Sequence, residues 1–256
     1  MLGAIIGDIV GSRFEFHNTN EYDFEFFNKQ CNFTDDTICT IAIADATLKR
    51  KSYKDSILYW CRKYPHPMGA YGASFSRWLS LSNHEPYNSF GNGAAMRVSP
   101  VAWAFDTLKQ VEREAIATAL ITHNHPEGII GAMCIAQAIW LLHHESHNHQ
   151  TISRLAMLYY GNDNEKSIPL RNTFDETCQG CIPLAFSIIY KSKDFEDAIR
   201  RTISWGGDSD TLGAIVGSLA EAAFGIPDEY KKIAMSYLPQ EMKRVVLEFQ
   251  KRFMFK

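Results

Sequence analysis

The chain has 256 residues, 46% hydrophobic and 21% charged, with a formal net charge of -3. That balance excludes a disordered chain and offers no broad electrostatic footprint for nucleic acid. No Pro/Gly/Ser-rich linker or change of composition divides the sequence, so we expect one domain over residues 1–256.

The opening run MLGAIIGDIVG is apolar but has no basic leader and carries Asp8. It is too short and too glycine-rich for a signal peptide or a membrane span, which predicts a cytoplasmic protein with no membrane association. Apolar residues then return every three or four positions over Thr37–Leu48, Val111–Ile121, Ile129–Leu142, Thr151–Tyr160, Ile182–Ile189, Phe195–Ser204, Asp210–Phe224 and Met242–Phe253. This is helical spacing, and strand-type alternation is scarce. Long helices with short polar connections predict an all-α fold, a compact orthogonal helical bundle. Gly3, Gly7 and Gly11, and again Gly213 and Gly217, repeat at four-residue spacing. Glycine weakens a helix interior, so glycines on one face predict close approach of a second helix and place these two segments at the centre of the bundle.

Several features read as structure before they read as chemistry. The pairs Lys231-Lys232, Lys243-Arg244 and Lys251-Arg252 suit a solvated helix face. The six cysteines are scattered mostly among apolar neighbours, as reduced core thiols would be, and Cys178-Gln-Gly-Cys181 has no second pair and leads into an apolar helix, so packing outranks zinc or redox duty there. His143, His144 and His147 suit a helix C-terminus, where histidine complements the macrodipole; neighbouring helical positions do not all face one ion.

The segment Thr34-Asp35-Asp36-Thr37 puts two carboxylates at the mouth of an apolar helix. One would cap the helix; a pair leaning into a low-dielectric interior repels itself and calls for a cation. Asp208, Asp210 and Thr211 repeat the arrangement before the second glycine-bearing helix. Thr34, Asp35, Asp36, Asp208, Asp210 and Thr211 therefore form two halves of an oxygen cage suited to Mg²⁺ or Mn²⁺ rather than zinc. So many carboxylates favour two ions over one. Glu15, flanked by Phe14 and Phe16, is either a satisfied surface group or a carboxyl tuned for acid–base work. The glycine loop around Ser89-Phe90-Gly91-Asn92-Gly93 offers backbone N–H groups that can form an anion nest, with Arg97 as a nearby cation, although most glycine loops are plain turns. His123 fits a helix end or a core position equally well.

Taken in order, GDIVGSRFE (7–15), TDDT (34–37), YGA (71–73), SFGNGAAMRVSP (89–100), Thr122-His123 and GGDSDTLGAIVG (206–217) resemble the ADP-ribosylglycohydrolase family over nearly the whole chain. The likeness is to proteins of the dinitrogenase reductase-activating glycohydrolase type and also to the serine-specific ADP-ribosyl hydrolase. It implies an all-α fold with a dinuclear magnesium or manganese centre that binds ADP-ribose and cleaves its link to a modified protein side chain or nucleobase. Carried residue by residue, it implies metal ligation by Thr34, Asp35, Asp36, Asp208, Asp210 and Thr211. Glu15 would then stand beside the metals on a movable loop, with Asp35 or Asp36 orienting water. Ser89, Phe90, Gly91, Asn92, Gly93 and His123 would hold the ADP-ribose. Phe90 stands where a relative has tyrosine, and the NHPEG segment after His123 differs, which bears on the choice of acceptor. Two other readings fit the same residues: another dinuclear-metal phosphoester hydrolase, and a non-catalytic ADP-ribose binder. The products would separate them, since free ADP-ribose marks the glycohydrolase and phosphate or AMP the first alternative.

Overall fold

The helical spacing becomes helices throughout. The computed structural model describes residues 1–144, 149–161, 166 and 168–254. In chain order these residues form α1 (Leu2–Gly11), α2 (Asp35–Lys49), α3 (Tyr53–Lys63), α4 (Ala73–Ser80), α5 (Gly93–Met96), α6 (Ser99–Ala104), α7 (Leu108–Ala119) and α8 (Pro126–His144). They continue as α9 (His149–Tyr160), α10 (Cys178–Lys191), α11 (Phe195–Trp205), α12 (Ser209–Phe224), α13 (Asp228–Tyr237) and α14 (Gln240–Phe249), the last running into a π-helical turn, Gln250–Met254. The fold is all-α: among the described residues the only β-type pairings are two isolated bridges, Thr34 with Met68 and Gly91 with Thr177.

Every residue of α1, and of α12 from Ser209 to Ala223, is buried. The two helices meet backbone to backbone, as their glycine spacing predicted. A Cβ on Gly213 would lie 2.5 Å from the Gly7 carbonyl oxygen and 2.9 Å from its carbon, and one on Gly11 would lie 2.5 Å from the Ser209 carbonyl oxygen. No side chain larger than hydrogen fits along that seam. At its far end Glu221 accepts from the Met1 ammonium and from the Gly3 N–H at 2.9 Å.

Helices α3, α4 and α13 were not legible from periodicity, and the reason is a narrow contact stripe. In α3 only Ser56, Ile57, Trp60 and Cys61 are buried, in α4 only Trp78 and in α13 only Ala234. Helix α10 starts four residues ahead of the apolar run because the Thr177 hydroxyl caps it, accepting from the Gly180 N–H at 3.1 Å. Cys178 and Cys181 thus form its first turn as buried free thiols. Helix α8 is long and apolar enough to cross a membrane, with a mean hydropathy of 1.2 over its best window, yet Gly131 to Ile139 lie largely within the protein core. The His143 ring lies 4.5 Å from the Trp103 ring, and that of His144 stacks at 4.1 Å on Trp140. His147 lies outside the described residues.

Candidate functional site: an acidic cluster at converging helix ends

Three helix ends carry carboxylates into one place. Asp8 lies near the C-terminus of α1, Thr34, Asp35 and Asp36 open α2, and Asp208 and Asp210 open α12. The N-termini of α2 and α12 supply the positive ends of two macrodipoles to this acidic group. The glycine seam explains the meeting: Asp8 follows Gly7, and Asp210 is one turn before Gly213.

Asp8 shapes the α2 entrance. Its Oδ2 accepts from the Thr34 N–H at 3.0 Å, the Thr37 N–H at 3.1 Å and the Thr37 hydroxyl, while Oδ1 accepts from the Thr34 hydroxyl at 2.7 Å. The Thr34 hydroxyl in turn accepts from the Asp36 N–H at 3.2 Å and so caps the helix. Both threonines of TDDT therefore bond a buried aspartate in the first helix, and the Thr34 hydroxyl, which donates once and accepts once, keeps one lone pair. The sequence pattern leaves Asp8 outside the predicted oxygen cage. The available signal was a lone carboxylate in an otherwise apolar, glycine-faced helix, which requires a polar partner once buried.

Carboxylate oxygens of Asp8, Asp36 and Asp210 lie within 4.8 Å of one another, all buried. Asp36 Oδ2 and Asp210 Oδ1 have no hydrogen-bond partner. Burial, followed by the neighbouring aspartates, raises Asp36 and Asp210 well above the usual carboxylate range. Half-buried Asp35 is raised as well, first by desolvation and then by Cys39 and Asp8. Asp8 is pushed up to about 6 by burial, against the four hydrogen bonds that favour its charge. Asp208 is also pushed to about 6 by burial, opposed first by the bond from Asn92. Orphaned oxygens and mutually raised carboxyls are what a hard cation relieves. The donor set fits Mg²⁺ or Mn²⁺, with Asp36 and Asp210 offering free oxygens. Asp8 has three donors on Oδ2 and one on Oδ1, so it orders the ligand loop first and offers at most Oδ1 to an ion. Thr211, one residue past Asp210 in the first turn of α12, is buried beside Asp208.

The glycine loop borders this cluster through Asn92, whose Nδ2 donates to Asp208 Oδ2 at 2.6 Å. Its backbone departs from the expected anion nest. The N–H of Ser89 donates to the Thr122 carbonyl at 3.4 Å, that of Gly91 to the Ser89 hydroxyl at 3.2 Å and that of Asn92 to the Glu176 carbonyl at 2.7 Å. Three of the five expected phosphate donors are thus spent inside the protein, which leaves the loop's shape rather than a full ring of N–H groups to receive a ligand. Phe90 is exposed, tilted toward the His125 ring at 5.3 Å. His123 lies beneath the loop, its Nε2 3.5 Å from where a Gly93 Cβ would stand. Burial and the Arg97 charge hold its pKa well below the ordinary value, so it is neutral. Arg97 itself is not a ligand cation: fully buried, it donates to the Thr118 carbonyl at 3.0 Å and the Thr122 hydroxyl at 2.8 Å.

Glu15 closes the other side. Its Oε2 is buried without a partner and lies against Gly69, a left-handed position at φ 78° where any Cβ would strike the carboxylate. Burial first, then Asp208, Asp8 and Glu176, push its pKa up to about 7.

An all-α scaffold that buries a carboxylate cluster at converging helix ends is, as a class, a protein with an acidic site able to hold a metal. The pattern of the ADP-ribosylglycohydrolase family matches residues 1–251, and the chain belongs to that family. It is 25% identical over 254 positions to the ADP-ribosyl-[dinitrogen reductase] glycohydrolase of Rhodospirillum rubrum, covering 89% of this chain and 85% of that protein. It is 23% identical over 341 aligned positions to the ADP-ribosylhydrolase ARH3 of Homo sapiens, covering 98% and 93%, and 22% identical to the ADP-ribosylarginine hydrolase Tri1 of Pseudomonas putida, covering 97% and 76%. A solved structure described as an ADP-ribosylglycohydrolase-related protein complex matches the fold with a TM-score of 0.76 at 20% identity, over 98% of this chain and 95% of that one.

Proposed function

We propose that the protein is a metal-dependent hydrolase that removes ADP-ribose from a modified protein side chain or nucleobase by cleaving the bond at the anomeric carbon of ribose. The observation that carries this reading is the set of orphaned, buried oxygens on Asp36, Asp210 and Glu15 where the helix ends of a chain in this family converge. Two Mg²⁺ or Mn²⁺ ions would be held by Thr34, Asp35, Asp36, Asp208, Asp210 and Thr211, with Asp8 fixing the Thr34 end of the cage. When bound, they would supply positive charge that holds and orients the ribose hydroxyls, while the surrounding carboxylates offset the positive charge that develops at the reacting carbon.

The remaining chemistry falls to the chain. In hydrolysis the anomeric carbon loses its acceptor nitrogen or oxygen and gains a water oxygen; the proton that water gives up ends on the departing group. Glu15, with one buried, unpartnered oxygen beside the aspartate cluster, suits the carrying of that proton. Asp35 or Asp36 orients the water. Asn92 fixes Asp208, and the Ser89–Gly93 loop, with Phe90 at its rim and neutral His123 beneath, shapes the seat of the ADP-ribose.

The test is a panel of ADP-ribosylated arginine, serine and nucleic-acid substrates incubated with and without Mg²⁺, with products separated by chromatography. Metal-dependent release of free ADP-ribose is the expected result, reduced by about 10²–10⁴-fold in Glu15→Gln. Release of AMP or inorganic phosphate would overturn the reading in favour of phosphoester hydrolysis, and ADP-ribose binding without turnover on any substrate would leave a binding protein.

A further inference from the structure

Glu15 stands in a long non-helical stretch between α1 and α2, and such a stretch needs ties to hold a side chain in place. Several ties lead away from the acidic cluster. The Asn32 N–H donates to the Ser12 hydroxyl at 3.1 Å, Phe14 packs edge-on against Phe24 at 5.2 Å, and Arg200 donates to the Tyr22 and Phe24 carbonyls at 3.0 and 2.8 Å.

Asn18 leads toward it. Its Nδ2 donates to the Phe14 carbonyl at 2.7 Å and to the Gly207 carbonyl at 2.9 Å, with longer contacts to the Glu15 carbonyl and the Ser209 hydroxyl at 3.3 and 3.4 Å. Its Oδ1 accepts from the Gly207 N–H at 2.9 Å. One side-chain amide thus bonds both the N–H and the C=O of Gly207 and at the same time holds the backbone on either side of the Phe14–Glu15 peptide bond. The orientation is set by the partners: turned over, its oxygen would face carbonyl oxygens and its nitrogen an N–H. Gly207 adopts φ 87°, and Asp208 follows it directly. The clip therefore joins the segment that carries Glu15 to the turn that carries Asp208.

We propose that Asn18 is a positioning residue that seats Glu15 against the aspartate cluster by clipping the 14–18 segment to the Gly206–Asp208 turn. This inference rests on the reading of Glu15 as the proton carrier. Asparagine suits the role because it is short and offers both a donor and an acceptor. Aspartate would lose the donation to the Phe14 and Gly207 carbonyls and add a charge beside an already acidic site.

The experiment compares wild type, Asn18→Ala, Asn18→Asp, Glu15→Gln and the Glu15→Gln/Asn18→Ala double variant, all full-length and saturated with Mg²⁺. Asn18→Ala and Asn18→Asp should lower kcat by about 10–100-fold with KM changed much less, the scale on which a misplaced catalytic group is felt. Thermal unfolding should shift by less than about 4 °C, as for loss of a few exposed hydrogen bonds. In the Glu15→Gln background Asn18→Ala should add nothing, because the residue acts through Glu15. Amide exchange gives a readout independent of turnover: in Asn18→Ala the Gly207 amide and those of residues 14–18 should exchange faster, with α7 and α10 unchanged. Wild-type exchange at Gly207, unchanged kcat, or multiplying losses in the double variant would overturn the inference. Near-normal turnover by Glu15→Gln would instead remove Glu15 from the chemistry, while the exchange result would still decide whether the clip exists.

Discussion

Gly213→Ala tests the seam that brings the acidic groups together. The new Cβ would stand 2.5 Å from the Gly7 carbonyl oxygen and 2.9 Å from its carbon. Reaching even the 3.0 Å limit of real Cβ contacts requires the helices to part by about 0.5 Å, and reaching ordinary contact at 3.4 Å requires about 0.9 Å. The obstacle is backbone, so no rotamer change relieves it. Alanine gains about 1 kcal/mol over glycine in a helix interior, while overpacking against a rigid neighbour costs about 3 kcal/mol or more, a net loss of about 2 kcal/mol. For a domain of this size that lowers the unfolding midpoint by roughly 4–8 °C. The assay is thermal unfolding followed by circular dichroism in chelator, with two companions. Gly7→Ala, whose Cβ would meet the Gly213 carbonyl still more closely, should lose more. Gly72→Ala, with nothing within 4 Å of its Cβ, should lose only part of a helix cap. Repeating the scans with Mg²⁺ should show a smaller metal-induced rise in Gly213→Ala, because parting the helices moves Asp8 away from Asp210. An unchanged or raised midpoint for Gly213→Ala would refute the claim that the two backbones are in contact.

Asp36→Asn and Asp210→Asn should each raise the midpoint of the metal-free protein, by removing one of several crowded carboxylates, and abolish the stabilisation that Mg²⁺ adds; thermal scans across a Mg²⁺ titration check both. Without metal, Asp8 and Asp208 have pKa values of about 6 and Glu15 of about 7, all raised. The folded state therefore holds extra protons between the ordinary carboxylate range and neutrality, so stability should fall as pH rises through that window. The midpoint should be higher near about pH 5 than near about pH 8, with Mg²⁺ flattening or reversing the trend. Arg97→Lys should cost roughly 1–3 kcal/mol of stability by leaving the Thr118 carbonyl or the Thr122 hydroxyl short of a donor. ADP-ribose affinity, measured by calorimetry on the folded protein, should change little if the guanidinium is structural.

Much of the architecture was legible because the signals involved are local. Three- and four-residue apolar returns marked the helices with broad buried faces, and glycines at four-residue spacing marked the α1–α12 contact. What escaped depended on long-range pairing. Asp8 gives no local sign of its partners, since Thr34 and Thr37 lie more than twenty residues on and only the fold joins them. Arg97 beside a glycine loop looks the same in sequence whether it faces a ligand or, as here, the end of α7. The N–H groups of Gly91 and Asn92 looked available because the acceptors that take them, the Ser89 hydroxyl and the Glu176 carbonyl, are chosen by how the chain turns and where residue 176 is brought.

The backbone seam between Gly7 and Gly213 also dictates when the acidic cluster can exist during folding. Its two sides are separated by about 200 residues of chain, and contacts of such long sequence range form only after the intervening segments have surrendered most of their freedom. A growing polypeptide lacking α12 has Asp8 and the Thr34–Asp36 turn but neither Asp208 nor Asp210, so the cation binding proposed above would follow the α1–α12 contact rather than precede it.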